Sequence, residues 1–167
     1  MKYNATNAEA FITQADATRT NAIEALKTRG LPTPKLERWK YTNLASFIQS
    51  GAKVAQKTTL NTNPVALPWM LQTSRKFVFV NGHMLLGDQR LKITPDHFDD
   101  APATHFDDTM LWSLNSALAT DGANINMLED GAVFEIIHIG QAGEGTQLAS
   151  TRTAIRVATG VNATLIE

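Results

Sequence analysis

Past Gly122 this chain has no helical periodicity left, and that change of pattern bounds what it can fold into. Ala123–Leu128, Ala132–Ile139, Gln147–Val157 and Ala163–Glu167 are short β-rich runs parted by glycine-containing turns. Runs of that length and spacing predict an all-β layer: a sandwich, a jelly roll or a solenoid. Before Gly122 the pattern is different. Thr6-Asn-Ala-Glu9 reads as a capping box. Behind it Ala8, Phe11, Ile12, Ala15, Ala22, Ile23 and Leu26 fall on one face, which predicts a helix over 7–28 ended by Gly30 and Pro32. Its other face carries both signs of charge, which suits a helix packed on protein better than one lying on a membrane. Thr42 can cap a shorter helix over 43–50, with Leu44, Phe47 and Ile48 inward and Gly51 as the stop. A third helix is expected over 108–120, capped by Asp107 or Asp108, with Met110, Leu111, Leu114 and Leu118 inward and Asp121-Gly122 ending it.

Asn81-Gly82 sits between Lys76-Phe-Val-Phe-Val80 and His83-Met-Leu-Leu86. Asn-Gly between apolar runs predicts a hairpin, because both central residues need positive φ. The expected fold class is therefore α+β. It divides into an N-terminal helical segment at 1–50, a linker or connection at 51–74, a hairpin plus helix at 75–122, and the first strands of a β-rich core at 123–167. Leu67-Pro-Trp-Met-Leu71 reads as an apolar anchor within the connection. The last run is strand-like to Glu167 and leaves ladder groups open for pairing. We expect a truncated chain whose reading frame continues, and pairing of its terminal strands with another copy.

Composition excludes several classes. The 167 residues contain no cysteine, which removes disulfides and thiolate ligands for zinc or a cluster. Charges nearly cancel, at 15 basic against 16 acidic, so bulk charge gives no reason to expect nucleic acid or an anionic membrane. The distribution is uneven: residues 1–57 carry a net of +5 and residues 58–167 a net of −6. That split fits either two differently composed lobes or a basic patch meeting an acidic partner. With no signal core and no apolar run able to span a bilayer, the expected location is cytoplasmic.

Chemistry is sparse. His83, His97, His105 and His138 have no partner at helical i+3 or i+4 spacing, and His138 lies in an apolar run that reads as core or edge. His97-Phe-Asp-Asp100 recurs as His105-Phe-Asp-Asp108, which reads as two turns pinned by Phe98 and Phe106 more readily than as a metal site. Gly140-Gln-Ala-Gly-Glu-Gly145 joins two expected strands, so it reads as a turn and not as a phosphate cradle. Glu135 lies inside a strand, where a partner charge is as natural as catalysis. No acid, base and nucleophile set emerges, and the chain is expected to be neither an enzyme nor a cofactor holder.

The densest stretch is Gly30-Leu-Pro-Thr-Pro-Lys-Leu-Glu-Arg-Trp-Lys-Tyr-Thr-Asn-Leu44. Trp39-Lys40-Tyr41 reads either as a recognition patch or as two rings filling the junction between the first helix and the β layer. The stretch resembles the N-terminal signature of the SufD family, scaffold proteins of the SUF iron–sulfur assembly system. The likeness rests on Leu31-Pro32 after Gly30, then Glu37, Trp39, Lys40, Tyr41 and Thr42 ahead of Leu44. Phe77-Val-Phe-Val-Asn-Gly82, the helix around Leu114–Leu118 and Thr159–Glu167 extend it downstream.

What the resemblance implies is a right-handed parallel β-helix beginning in the β-rich segment, and partnership with SufB-like and SufC-like subunits. It carries over no cluster-assembly residue, because the family's lie toward the C-terminal end. The competing expectation is a stand-alone helix-plus-β module that binds a small ligand or peptide.

Overall fold

The computed structural model describes residues 3–60, 70–88 and 110–167. These group into two compact units. The first gathers residues 3–54, 110–119 and 143–148; the second gathers 55–60, 70–88, 120–142 and 149–167.

The first unit is mainly helical. It opens with β1 (Tyr3–Asn4), a 3-10 turn at Ala5–Ala8 and α1 (Glu9–Ile12). The single helix expected over 7–28 is broken, and α2 (Thr20–Arg29) begins only after a loop. The break has a local cause. Asp16 Oδ1 accepts from the Thr18 amide at 2.9 Å and the Thr18 hydroxyl at 2.8 Å, and the Arg19 amide bonds the Asp16 carbonyl at 2.9 Å. An Asp side chain that offers its own backbone such bonds competes with the helical ladder. The same bonds, the Thr18 amide first, hold the Asp16 carboxyl below the usual range.

The capping box is replaced by another device. Ala8 stands at the N-cap of α1 with no side-chain bond. The Asn7 amide reaches the backbone of β2 (Leu31–Pro32), donating to the Leu31 carbonyl at 3.2 Å and accepting the Leu31 amide at 2.7 Å. Gly30 ends α2 as expected, at φ 67, with its amide on the Leu26 carbonyl. α3 (Ala45–Gln49) starts from Leu44 and not from Thr42; Asn43 Oδ1 accepts the Ala45 amide at 2.9 Å.

α4 (Met110–Leu118) closes the unit. Leu114, Ala117 and Leu118 join Ala8, Phe11, Leu26, Leu31 and Ala52 in one core, whereas Leu111, expected inward, is exposed. Phe11 stacks on Phe47 with centroids 5.2 Å apart. β3 (Lys53–Val54) runs parallel to β8 (Gln147–Leu148) within this unit. The Asp107 or Asp108 cap and the 97–108 echo lie outside the described residues, as does most of the Leu67–Leu71 anchor.

The second unit is a β structure. β4 (Arg75–Val80) and β5 (His83–Leu86) form the expected hairpin, with Asn81 at φ 48 and Gly82 at φ 83. β6 (Asp121–Met127) and β7 (Val133–Ile139) follow, then β9 (Thr151–Val157) and β10 (Thr164–Ile166). Asp121-Gly122 does not end the helix but opens β6. Asp121 is buried, its Oδ2 accepting the Met84 amide at 2.8 Å and its Oδ1 the Gly122 amide at 2.9 Å.

One sheet has the order β10-β7-β4-β5, with β4 and β10 both parallel to β7. The other is the parallel pair β6-β9. Asp121 pairs with Thr151 and Val133 with Thr164, so the chain returns onto itself after 30 and then 31 residues. The turns between these strands also stack. Gly131 donates to the Asn162 carbonyl at 2.7 Å, and Asp130 Oδ1 accepts the Asn162 amide at 2.8 Å. Phe77, Phe79, Met84, Ala123, Ile125, Met127, Phe134 and Ile136 fill the space these strands enclose.

Candidate functional site

The signature stretch divides by depth. Leu31 and Pro32 are fully buried, held by Asn7 and by antiparallel pairing with β1. From Thr33 onward the backbone folds into consecutive tight turns. Leu36 bonds back to the Thr33 carbonyl at 3.0 Å, Trp39 to Leu36 at 2.9 Å, Lys40 to Glu37 at 3.3 Å and Thr42 to Trp39 at 2.9 Å. The centre is a 3-10 turn at Glu37–Trp39. Trp39 is half-buried; Glu37, Lys40, Tyr41 and Thr42 face outward. Tyr41 is 91 % exposed. Lys40 Nζ sits 5.4 Å from the Tyr41 ring centroid and 3.9 Å from Glu37 Oε1. The structure thus exposes four signature side chains along consecutive backbone turns and commits Leu31 and Pro32 to packing.

Two cavities lie within the helical unit. One of about 320 Å³ is bordered by Pro32, Pro34, Leu44 and Ile48; one of about 360 Å³ by Phe11, Gln14, Ile48 and Ala52. Two of their lining amides are engaged with backbone. Asn7 serves Leu31, and Gln14 donates to the Ala52 carbonyl at 3.2 Å while accepting the Val54 amide at 2.8 Å. A small-ligand pocket needs convergent polar groups to fix orientation, and these amides are spent on backbone.

The β unit holds a buried charge pair. Glu135, 6 % exposed, accepts a hydrogen bond from Ser74 and from the Leu71 amide, the latter at 3.2 and 3.3 Å to its two oxygens. Lys76 Nζ stands 3.5 Å from the carboxylate, 2.9 Å from Ser74 Oγ, and donates to the Leu71 carbonyl. The Ser74 bond above all, with the Leu71 amide and Lys76, holds the Glu135 carboxyl below its ordinary range. A serine beside a lysine invites a nucleophilic reading, but a lysine acts as base only when neutral. Here the carboxylate lies 3.5 Å from Lys76 Nζ and takes the serine's hydrogen bond. The cluster locks the 71–74 turn to β7.

The histidines are dispersed. His83 Nε2 meets the Ala55 carbonyl at 2.9 Å; His138 Nε2 meets Glu167 Oε1 at 3.0 Å and its ring stacks on Phe79. That agrees with the edge role expected for His138. His97 and His105 lie outside the described residues. Among the described residues no group of three or more His, Asp or Glu side chains could hold a metal ion. None of the described helices is long and apolar enough to cross a membrane. Residues 140–145 contain neither helix nor strand, and Gln141 and Asn81 exchange bonds of 2.7 and 3.1 Å.

Sequence reasoning missed Asn7 and Gln14 as backbone partners, and the Lys76–Glu135 pair. The first two carry no local signal beyond an i, i+7 amide spacing. The pair is legible only as opposite charges in two strands whose parallel pairing is known.

Comparison with curated proteins finds no match. Residues 3–66 match the family described as the SufBD protein N-terminal region, a span that contains the whole signature stretch. Residues 3–66 thus carry a segment similar to the SufBD N-terminal region, which supports a SufB/SufD-family protein.

Proposed function

We propose that this chain is the N-terminal part of a scaffold subunit for iron–sulfur cluster assembly, of the SufD-like kind. The observation that carries the reading is the SufBD match over residues 3–66, which supports a role in the SUF system. The parallel returns at 30 and 31 residues support the start of a parallel β-helix, since each turn of such a solenoid lays its strands on those of the turn before. In this reading the segment is non-catalytic and cytoplasmic, holds no cluster itself, and works within an assembly of SufB-like and SufC-like subunits. The absence of cysteine supports the second of these points, because clusters are normally held by thiolates. A stand-alone binding module fits less well, because the Asn7 and Gln14 amides beside these cavities are already bonded to backbone.

The test is co-expression with a SufB-like and a SufC-like protein, followed by native mass spectrometry and iron analysis. The proposal expects a ternary species that contains the chain. It fails if the chain remains alone at every ratio. Anaerobic reconstitution of the isolated chain with iron and sulfide should leave it colourless after desalting; a stoichiometric brown species would refute the cluster-free role.

Pairing of two copies through the terminal strands belongs to the same proposal. Ile155, Val157 and Ile166 are exposed at those strands, and Leu165→Lys with Ile166→Lys should then shift sedimentation toward monomer.

A further inference from the structure

We infer that the Thr33–Thr42 turn segment is a preformed docking surface for an acidic protein partner, with Tyr41 as its anchor and Lys35, Arg38 and Lys40 as its cationic rim. The inference rests on exposure, charge and backbone geometry and does not require the scaffold role.

Three observations converge. First, Tyr41 is exposed to 91 %, the highest value for a large hydrophobic side chain among the described residues. Second, the segment is fixed before any partner arrives. Four successive i to i+3 backbone bonds between 2.9 and 3.3 Å define it, and Trp39 within it is half-buried. A surface already ordered loses less entropy on binding. Third, three exposed cations lie within six residues of one another, against the single carboxylate of Glu37.

The chemistry of the partner follows from the same geometry. Lys40 Nζ lies 5.4 Å from the Tyr41 centroid, so a carboxylate that reaches the ammonium also meets the ring. The Glu37–Lys40 contact is 3.9 Å and solvent-exposed, and such surface pairs contribute little, so an incoming carboxylate can replace it. Tyrosine and arginine are enriched at the anchoring positions of protein interfaces.

A nucleic acid fits less well. Glu37 stands in the middle of the cationic run, where a phosphate backbone would meet it, and Lys40 already lies over the ring on which a base would stack.

The experiment is an amide chemical-shift titration of the full 167-residue chain with an acetylated Asp-Glu-Leu-Phe-Asp-Glu peptide. Parallel titrations use the Lys-substituted peptide, a single-stranded oligonucleotide and phosphatidylglycerol vesicles. The expected result is saturable shifts confined to residues 33–43 with the acidic peptide alone. Tyr41→Ala and Lys40→Glu should each weaken binding at least about tenfold, and Tyr41→Phe by less than about threefold. Raising salt from roughly 50 to 500 mM should weaken it as well. Each side chain is exposed, and an unchanged melting curve would confirm that the variants fold. The inference is overturned by no binding, by shifts outside the segment, by wild-type affinity in Tyr41→Ala, or by tighter binding of the oligonucleotide or vesicles there.

Discussion

Removing the Glu135 carboxylate should unfold the β unit well below its normal midpoint. Glu135 and Lys76 have side chains 7 % and 8 % exposed, and the carboxylate also satisfies Ser74 and the Leu71 amide. Glu135→Ala strips three donors of their acceptor and leaves an ammonium in a nearly dry site. Breaking a buried pair from one side costs about 3–5 kcal/mol, a loss that lowers the midpoint of a domain of this size by more than about 10 °C. Replacing both partners, Lys76→Met with Glu135→Leu, removes the stranded charge and should recover most of that loss.

The pH dependence has a definite sign. The folded carboxyl titrates below its unfolded value, so the unfolded state binds more protons in that window. The stabilisation is complete above the ordinary carboxylate range and disappears as pH falls through the folded pKa. Thermal melts of wild type, both single variants and the double variant, at neutral and acidic pH, give the coupling. A cost below about 1 kcal/mol for Glu135→Ala, or an acid limb identical to wild type, would refute the assignment of this pair as the lock on the 71–74 turn.

Three further outcomes are expected. Asn7→Leu should destabilise the helical unit by about 1–3 kcal/mol, because the Leu31 amide and carbonyl lose their bonds in a buried setting; circular dichroism with urea would measure it. Gly82→Ala should cost about 1–3 kcal/mol, since its φ is 83 and a Cβ there would lie 3.2 Å from Ala149 Cβ. Tyr41→Ala should leave the melting curve within about 0.5 kcal/mol of wild type, as expected of a side chain exposed to this degree; a clear destabilisation would mean the ring packs on something.

The hairpin was legible because Asn-Gly between two apolar runs admits few other conformations, and the Asn81 and Gly82 angles follow from it. Gly30 was legible as a helix stop for the same steric reason. The break between α1 and α2 was not. Periodicity continues across it, and only the choice of Asp16 to bond Thr18 interrupts the ladder. Asp121-Gly122 misled because the dipeptide suits a turn as well as a strand entry, and burial of Asp121 against the Met84 amide decided it. The strands after residue 123 were visible one by one, but not their parallel partners, which pair across 30 residues with no repeated sequence to mark them. For the signature stretch, residue types pointed to Trp39 and Tyr41 together, while the backbone turns separate a half-buried ring from an exposed one.

The account depends most on the return of the chain over itself in the β unit. Backbone NOEs in a uniformly labelled sample test this directly. The structure predicts parallel cross-strand contacts joining Ala123 to Thr153 and Ile125 to Ile155, and a second ladder joining Phe134 to Leu165. Antiparallel contacts between neighbouring strands in sequence, β6 to β7 and β9 to β10, would describe a meander instead, and would contradict both the coil and the scaffold built on it.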